Sequence, residues 1–238
     1  MSGFSDEPNL IIAFSGRKHG NMSLYYGETS EALNNRRAFL SSLGIDHRDL
    51  VCARQVHGDN IRYVTEDDKG AGASAYGGSI ADTDGFITDR KNLPIAIFTA
   101  DCPSIFIYDP SLPAIGLLHC GWRSSRLRIA SKAVRLMQKE FNSNPKDLYA
   151  GFGSGIRGCC YRVSEDFSGY FTEGLIRRSG QLYLDLTEVN TWELLACGVK
   201  KENIYPPQAC TFCHNDEFFS FRKEGPACGR MLSVMMIK

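Results

Sequence analysis

The sequence predicts an α/β or α+β fold, a single domain over residues 1–238 with large mixed sheets and helices packed on them. Three observations favour this fold class. Strand-like runs outnumber helical segments, and the two kinds mix along the chain. Several of these runs are apolar throughout, as strands are when both faces are covered. The sequence contains neither a glycine-rich dinucleotide fingerprint nor a phosphate-loop signature.

The first half of the chain supplies one strand, one helix and then mostly strands. Residues 9–14 predict a strand, and residues 30–44 predict a helix that Ser30 caps and Gly44 ends. The Gly- and Ser-rich stretch 67–79 predicts a loop inside the domain. Five further strands are predicted at IRYVT (61–65), GFIT (85–88), LPIAIFTA (93–100), SIFIYD (104–109) and AIGLLHC (114–120).

The second half adds two helices and four strands. The stretch 124–141 predicts one helix, with Leu127, Val134, Met137 and Phe141 on its apolar stripe. The second helix is predicted around 187–198. The strands are predicted at LYAGF (148–152), LYLD (182–185), FFSFR (218–222) and RMLSVMMI (230–237).

Composition narrows the class of partner and the compartment. The chain has 27 basic and 27 acidic side chains, so neither a nucleic acid nor an anionic membrane surface is expected as a partner. The N-terminus lacks a secretory pattern, and no segment reaches the roughly 18 apolar residues of a spanning helix. We therefore expect a cytoplasmic protein. In such a compartment nine cysteines indicate buried thiols, metal ligands or nucleophiles more than disulfides.

Three residues near strand ends have the chemistry of a metal site. His57 follows the strand-like run CARQV, His119 ends an apolar run, and Cys102 precedes a strand next to Pro103. Two imidazoles and one thiolate make three protein ligands, the number that leaves a catalytic zinc an open position. Their separations of 45 and 17 residues do not specify a metal site. Hydrogen-bonded histidines and an inert packed thiol stay open as the alternative.

A second group of thiols is the rival metal site. Cys210, Cys213 and His214 lie in CTFCHND, and Cys228 follows in PACGR, which together suggest a structural zinc. A zinc ribbon requires two closely spaced pairs of ligands, and only the pair Cys210 and Cys213 is present, because PACGR contains a single cysteine. The adjacent residues Cys159 and Cys160 are expected to face opposite sides of a strand and not to share an ion.

Several cationic or amide side chains surround the first group and suggest an anionic substrate such as phosphate. Arg36 lies on the first helix, where its guanidinium either extends along the helix surface or holds an anion. The further candidates for binding substrate or phosphate are Arg17, Gln55 and Arg123.

Seven motifs, taken in order, resemble the multicopper polyphenol oxidase or laccase-domain family, which includes the bacterial YfiH and YlmD types. The resemblance covers the chain from about residue 14 to the C-terminus. The motifs are RQVHG, ADTDGFIT, TADCPSIFIYD, GLLHCGWR, GSGIRGCCYRV, LDL with Asn190, and CTFCHNDEFFSFRKEG followed by GRM.

The resemblance implies a purine nucleoside phosphorylase that converts adenosine, inosine, guanosine or methylthioadenosine and phosphate to base and ribose 1-phosphate. It further implies an adenosine deaminase activity and a fold like the catalytic domain of cytotoxic necrotizing factor. By matching motifs, His57, Cys102 and His119 become the zinc ligands and Arg36 the phosphate-associated arginine. Cys102, Asp101 and Arg36 are the expected catalytic residues, with Asp101 or Asp84 supplying a proton or orienting a ligand histidine.

The chain departs from the family pattern next to these residues. Cys120 replaces an alanine, Ser124 replaces a glycine, and Arg157-Gly158 stands where the family has Gly-Pro. The ligand positions are unchanged, so the departures bear on substrate preference and not on metal binding.

Three other functions stay open. A copper-dependent polyphenol oxidase is disfavoured, because such enzymes need several copper ions and more histidines than the two suitable here. A non-catalytic protein whose zinc ties strand ends together is the second. A cysteine hydrolase with Cys102 as nucleophile and His119 as base is the third. The oligomeric state is left open.

Overall fold

The computed structural model of the protein describes residues 7–207 and 209–238. In this part of the chain the α-helices are α1 (Thr29–Ser41), α2 (Trp122–Arg126), α3 (Ile129–Phe141), α4 (Leu186–Ala196) and α5 (Phe221–Glu224). The strands are β1 (Leu10–Phe14), β2 (Val51–Cys52), β3 (Ile61–Tyr63), β4 (Gly85–Thr88), β5 (Ile95–Thr99), β6 (Ser104–Asp109), β7 (Ala114–His119), β8 (Tyr149–Phe152), β9 (Arg162–Val163), β10 (Leu175–Arg178), β11 (Gln181–Leu184), β12 (Ile204–Tyr205) and β13 (Met231–Ile237).

These strands form two large mixed sheets and one small antiparallel sheet. The four-stranded sheet has the order β1-β13-β5-β2, and the six-stranded sheet has the order β12-β8-β6-β7-β4-β3. Each combines parallel and antiparallel pairs, such as β2 with β5 and β13 with β5 in the first. The prediction of large mixed sheets with packed helices is confirmed.

The two large sheets pack face to face and helices cover their outer faces. Between the sheets, Phe86 and Phe106 of the six-stranded sheet meet Ile97 and Met235 of the four-stranded sheet. The next residues along those strands point the other way, because side chains alternate across a strand. Ile87 and Ile105, with Leu118, pack against Ala133, Val134 and Met137 of α3.

Helix α1 covers the other outer face. Phe39 and Leu40 of this helix join Leu232 and Val234 of β13 in a third cluster. Strands such as β6 and β7 are therefore buried on both faces, which explains why their sequences are apolar without alternation.

The helix predicted over 124–141 is two helices. Arg128 adopts a left-handed backbone with φ of 61°, which no α-helix continues through, and α2 and α3 lie on either side of it. Leu127 follows the end of α2 and is 47% exposed, so its predicted place on the apolar stripe was wrong.

Two further sequence predictions need correction. The run 218–222 is not a strand, because α5 begins at Phe221 with Ser220 as its N-cap. Helix α1 begins at Thr29 after Glu28, so Ser30 lies inside the helix and does not cap it. Among the described residues, no helix is both long enough and apolar enough to cross a bilayer.

Candidate functional site

The three predicted ligands converge at one end of the two large sheets. Cys102 lies in the short loop where the chain leaves β5 in one sheet and enters β6 in the other. His119 ends β7, and the antiparallel register places Ser104 of β6 opposite it. His57 lies four residues after Ala53, whose backbone pairs with Ile80. Strand ends thus bring together side chains that are far apart in sequence.

The ligand atoms of these residues are close enough to share one ion. The donor atoms of His57, Cys102 and His119 all lie within 4.8 Å of one another. The two imidazole rings are edge to face, with their centroids 4.7 Å apart. Gly121 lines this group closely, since a Cβ atom there would be 3.0 Å from the His57 ring and 3.1 Å from Cys102 Sγ.

A buried carboxylate, that of Asp84, holds both histidine segments. Its Oδ1 accepts a hydrogen bond from His119 Nδ1 at 2.8 Å and from the His57 backbone N–H at 3.0 Å. Its Oδ2 accepts from the Gly58 N–H at 2.7 Å. Because Nδ1 donates to Asp84, only Nε2 of His119 is left to bind an ion. Metal-binding histidines usually donate their other ring N–H to a carboxylate in this way, which fixes the orientation of the ring. The orienting role offered to Asp101 or Asp84 therefore fits Asp84.

The surroundings favour a thiolate at Cys102. Burial raises the pKa of this thiol, but the charge and hydrogen bond of His119 and the contact with His57 outweigh it, so the pKa lies below the ordinary value. Burial lowers the pKa of His119, yet the Cys102 thiolate and the Asp84 carboxylate together raise it. The thiolate is the form that binds metals.

Two residues of the site have a left-handed backbone, an uncommon conformation for residues other than glycine. The φ angles are 59° at His57 and 86° at Asp101. At Asp101 two hydrogen bonds stabilise this conformation. Oδ1 accepts one from the Thr211 hydroxyl and Oδ2 accepts one from the Arg222 backbone N–H, each at 2.6 Å. Both oxygens are thus engaged, and Asp101 has the contacts of a positioning residue.

The donor set fits zinc. Imidazole nitrogen and thiolate sulfur are both zinc ligands, and three protein ligands leave the fourth position open, as in catalytic zinc sites. A mononuclear copper site with the same three ligands would add a long axial ligand, which is a methionine, a glutamine or a backbone oxygen. Of the described residues that line the adjoining cavity, none is a methionine, and the amide oxygen of the one glutamine, Gln55, already accepts from the Phe98 N–H.

A cavity of about 620 Å³ opens next to these ligands. This volume lies within the usual range for small-molecule sites. Of the predicted binding residues, Arg36, Gln55 and Arg123 line it. Arg17 does not: its guanidinium pairs with Glu224 at 2.6 Å and donates to the carbonyl of Asn215.

Arg36 is the most unusual of the lining residues, because it is a cation that is only 2% exposed. Its Nε donates to the Met22 carbonyl at 2.7 Å and its Nη1 to the Ala73 carbonyl at 2.9 Å. Within the described residues, Nη2 donates to no acceptor and no carboxylate pairs with the guanidinium. Burial lowers the pKa of Arg36, although not enough to neutralise a guanidinium. A buried charge without a counter-ion is costly, so this arrangement suits an anion from outside the chain.

The other predicted residues differ in what they offer. Both ends of the Gln55 amide are engaged by the backbone of Phe98, at 2.8 and 2.9 Å. Arg123 is exposed and its guanidinium lies over the Trp122 ring. Gln55 therefore supports the wall of the cavity, and Arg123 stands at its mouth.

Sequence reasoning missed two arginines and a group of aromatic residues. Arg222 and Arg230 both line the cavity, with Arg230 stacked on the Tyr26 ring at 4.0 Å. The run around Arg222 was taken for a strand, which hid its place at the start of a helix. The motif SFRKEG followed by GRM was the signal that could have identified both. The aromatic lining consists of Tyr25, Tyr26, Tyr76, Phe98, Trp122, Tyr161 and Phe221.

The rival metal group is present in a different form from the predicted one. Cys159, Cys160, Cys210 and Cys213, called here the four-thiol cluster, have sulfur atoms within 4.8 Å of one another. Neither His214 nor Cys228 belongs to it. The expectation that adjacent cysteines could not share an ion was wrong, because 158–160 forms a turn and not a strand.

Comparisons with known proteins agree with the resemblance seen in the motifs. The purine nucleoside phosphorylase YlmD of Geobacillus stearothermophilus is 36% identical over 225 residues, which are 90% of this chain and 82% of that protein. The adenosine deaminase RL5, from an unknown prokaryotic organism, is 27% identical over 220 residues, or 88% of this chain and 84% of that protein. The crystal structure of the Bacillus licheniformis hypothetical protein YfiH has a TM-score of 0.94 at 30% identity, covering 98% of this chain and 94% of that chain.

The model of one protein family also matches nearly the whole chain. Its description is multi-copper polyphenol oxidoreductase laccase, and the match covers residues 5–238. The chain therefore belongs to the multi-copper polyphenol oxidoreductase laccase family.

Proposed function

We propose that the protein is a zinc-dependent purine nucleoside phosphorylase, which converts a purine nucleoside and phosphate to the free base and ribose 1-phosphate. The observation that carries this proposal is the buried guanidinium of Arg36, with which no carboxylate of the described residues pairs, in the same cavity as the His57, Cys102 and His119 ligands. The names of the relatives support it, since YlmD of Geobacillus stearothermophilus is called a purine nucleoside phosphorylase.

In this proposal His57, Cys102 and His119 hold the zinc, which supplies Lewis-acid chemistry when bound. Asp84 fixes the His119 ring through Nδ1 and holds the His57 segment through its backbone amide. Asp101 acts indirectly, since its carboxylate anchors the segments of Thr211 and Arg222 beside the cavity.

Arg36 binds the phosphate through Nη2, which no described residue occupies, while its other nitrogens are fixed by backbone carbonyls. A guanidinium held in this way loses little freedom when it binds an anion. Phosphorolysis needs that positioning, because a phosphate oxygen bonds to the ribose C1′ as the C1′–N bond to the purine breaks. The base leaves with the bonding electrons and takes up a proton.

The aromatic side chains of the cavity support a flat, apolar base as the other substrate. Trp122 lines the cavity, and so do Tyr25 and Tyr76, whose ring centroids are 4.8 Å apart. Tyr25 is 60% exposed, so its ring is available to a ligand. We propose purine nucleosides and phosphate as the substrates and leave the preferred nucleoside open. A cytoplasmic location stays a prediction from the sequence.

Metal removal and replacement test the proposal. Protein stripped by a chelator should release no adenine from adenosine and phosphate, and added zinc should restore the rate. Cys102→Ala should lose one bound zinc per chain and the activity together. Full activity in the stripped protein, or in Cys102→Ala, would contradict the assignment.

Deamination of adenosine to inosine is the second candidate, because a relative is named adenosine deaminase and zinc deaminases attack purine C6 with an activated water. Inosine that forms equally with and without phosphate would support it. The Cys102, His119 and Asp84 contacts also resemble those of a thiol hydrolase. A thiol hydrolase needs no metal, so it would stay active in protein stripped of zinc, whereas a zinc deaminase would not.

A further inference from the structure

The four-thiol cluster lies outside the cavity and has no part in the proposed reaction. Two of its members, Cys159 and Cys160, belong to the turn between β8 and β9, and the other two, Cys210 and Cys213, belong to the segment between β12 and α5. All four are free cysteines. Two loops that are 50 residues apart in sequence therefore present four sulfur atoms to one point.

The spacing of the sulfur atoms suits a single tetrahedral ion. Zinc bound by four thiolates has Zn–S bonds of about 2.3 Å, which place neighbouring sulfur atoms about 3.8 Å apart. Cys213 Sγ is 3.7 Å from Cys159 Sγ and 3.2 Å from Cys160 Sγ, and no pair in the cluster exceeds 4.8 Å. A disulfide would need a separation of about 2.05 Å.

The backbone around Cys210 is arranged to support a thiolate. Its sulfur accepts a hydrogen bond from the Arg157 N–H at 3.4 Å. This donor comes from the loop that carries the other two cysteines. Amides that donate to ligand sulfur orient the ligand and stabilise its charge, as outer contacts do in other metal sites.

Further contacts fix the two loops to each other. The Thr211 N–H donates to the Gly155 carbonyl at 3.1 Å, and Gly155 and Cys210 form a parallel β-bridge. The relative position of the two pairs of cysteines is therefore set by the backbone. A preformed site of this kind needs little rearrangement to take up an ion.

The charge near the cluster is also suitable. Zinc with four thiolates carries a net charge of about −2. Arg178 donates to the Cys159 carbonyl at 2.8 Å, and Lys223 Nζ donates to the Phe212 carbonyl at 3.3 Å. One cation is thus attached to each loop of the cluster.

We propose that Cys159, Cys160, Cys210 and Cys213 form a second, structural zinc site that joins the two loops. Four protein ligands leave no open position, which distinguishes this site from the three-ligand site in the cavity. The zinc would hold part of the cavity wall, because Tyr161 follows Cys160 and both Ile156 and Tyr161 line the cavity. Thr211, which follows Cys210, anchors Asp101.

Counting zinc in a protein that lacks the first site tests the proposal. Cys102→Ala protein, purified with zinc in the medium and desalted, should retain one zinc per chain by elemental analysis. X-ray absorption at the zinc edge of this protein should give four sulfur ligands at about 2.3 Å. Its cluster residues are unchanged, so the result does not depend on whether a cluster variant folds. No zinc, or zinc with nitrogen or oxygen ligands, would overturn the proposal.

Variants in the Cys102→Ala background then identify the ligands. Adding Cys213→Ser or Cys160→Ser should remove the remaining zinc and lower Tm. The matched controls are His214→Ala, next to the cluster, and Cys228→Ser, at a cysteine that the sequence had suggested as a ligand. Both controls should keep the remaining zinc. Loss of zinc in either control with retention in Cys213→Ser would refute the assignment. Alkylation in denaturant, without reductant, of protein purified with zinc should find every cysteine free, whereas a Cys160–Cys213 disulfide in that protein would overturn the assignment.

Discussion

At the level of single residues, the Asp84 carboxylate connects the proposed metal ligands to the rest of the protein. It is fully buried and accepts hydrogen bonds from the His119 ring and from the backbone of His57. Burial raises the pKa of this carboxyl, but the His119 contact and the amides of Gly58 and Val56 lower it by more, so the net shift of the pKa is downward and the group is ionised. Asp84 therefore occupies Nδ1 of His119 and leaves Nε2 free for the proposed zinc.

Asp84→Asn should weaken zinc binding at the cavity site by about 10- to 100-fold, because the amide cannot fix the His119 tautomer as a carboxylate does. A chelator competition on the purified protein measures this affinity. Asp109→Asn is the matched control, since Asp109 is a buried carboxylate at the other end of β6. Equal zinc affinity in Asp84→Asn and the wild type would contradict the role given to Asp84.

Arg36→Lys keeps the charge and removes the planar donor group. We expect the KM for phosphate to rise about 10- to 100-fold, as for loss of a hydrogen bond to a charged group, with a smaller change for the nucleoside. Steady-state rates at varied phosphate concentrations measure this. Arg37→Lys, the exposed neighbour on α1, should leave both KM values unchanged. An unaltered phosphate KM in Arg36→Lys would remove this residue from the binding site.

The lowered pKa of Cys102 gives a chemical signature in protein stripped of metal. Because the thiolate persists at a lower pH than usual, alkylation of Cys102 should stay fast as the pH falls through the ordinary thiol range and slow only below it. Cys120 is the internal comparison, since burial raises its pKa well above the ordinary value. Peptide mapping after brief alkylation at several pH values follows both. A Cys102 rate with an ordinary pH dependence would contradict the pairing with His119.

At the scale of elements, the loop from β5 to β6 and the end of β7 create the site. The first crosses from one sheet to the other, and the second lies beside it through the β6 and β7 register. Gly121 begins the turn into α2 directly against the ligands. The absence of a side chain there lets the backbone approach the His57 ring and Cys102 Sγ.

Gly121→Ala tests this close approach. Its φ of −66° suits alanine, so any effect comes from the added methyl group at 3.0 to 3.1 Å from the ligands. Displacement of the ligands by a few tenths of an ångström should reduce the rate about tenfold, since misplacement by 1 Å costs about 10²-fold. Gly169→Ala, with no atom of the described residues within 4 Å of the new Cβ, should behave as wild type. A fully active Gly121→Ala protein would show that the ligands tolerate the methyl group.

Sequence reasoning succeeded where the local pattern and the tertiary structure agree. Apolar runs such as 104–109 and 114–120 became strands buried on both sides, because the sandwich covers both faces of its central strands. It failed at Arg128, whose left-handed backbone divides a continuous helical pattern, since no composition signal marks that residue. It also failed for the run 218–222, where two adjacent phenylalanines favour a strand and the Ser220 cap starts a helix.

In the whole molecule, both sites depend on tertiary contacts that the spacing of their residues along the sequence does not reveal. His57, Cys102 and His119 could be named from residue type and motif, but their convergence requires the register of both sheets. Cys159 and Cys160 were assigned to opposite faces because a strand was assumed, and the turn that unites them is visible only in the fold. Arg17 was a reasonable candidate until Glu224 was found to pair with it. That residues 1–238 act as a single domain stays a prediction.

The proposed reaction of the cavity is phosphorolysis, which requires inorganic phosphate. The most direct measurement is chromatography of adenosine incubated with the zinc-loaded protein, with and without inorganic phosphate. We expect adenine and ribose 1-phosphate in equal amounts when phosphate is present and no adenine when it is left out. Adenine released at the same rate without phosphate, or no adenine under either condition, would contradict the proposal.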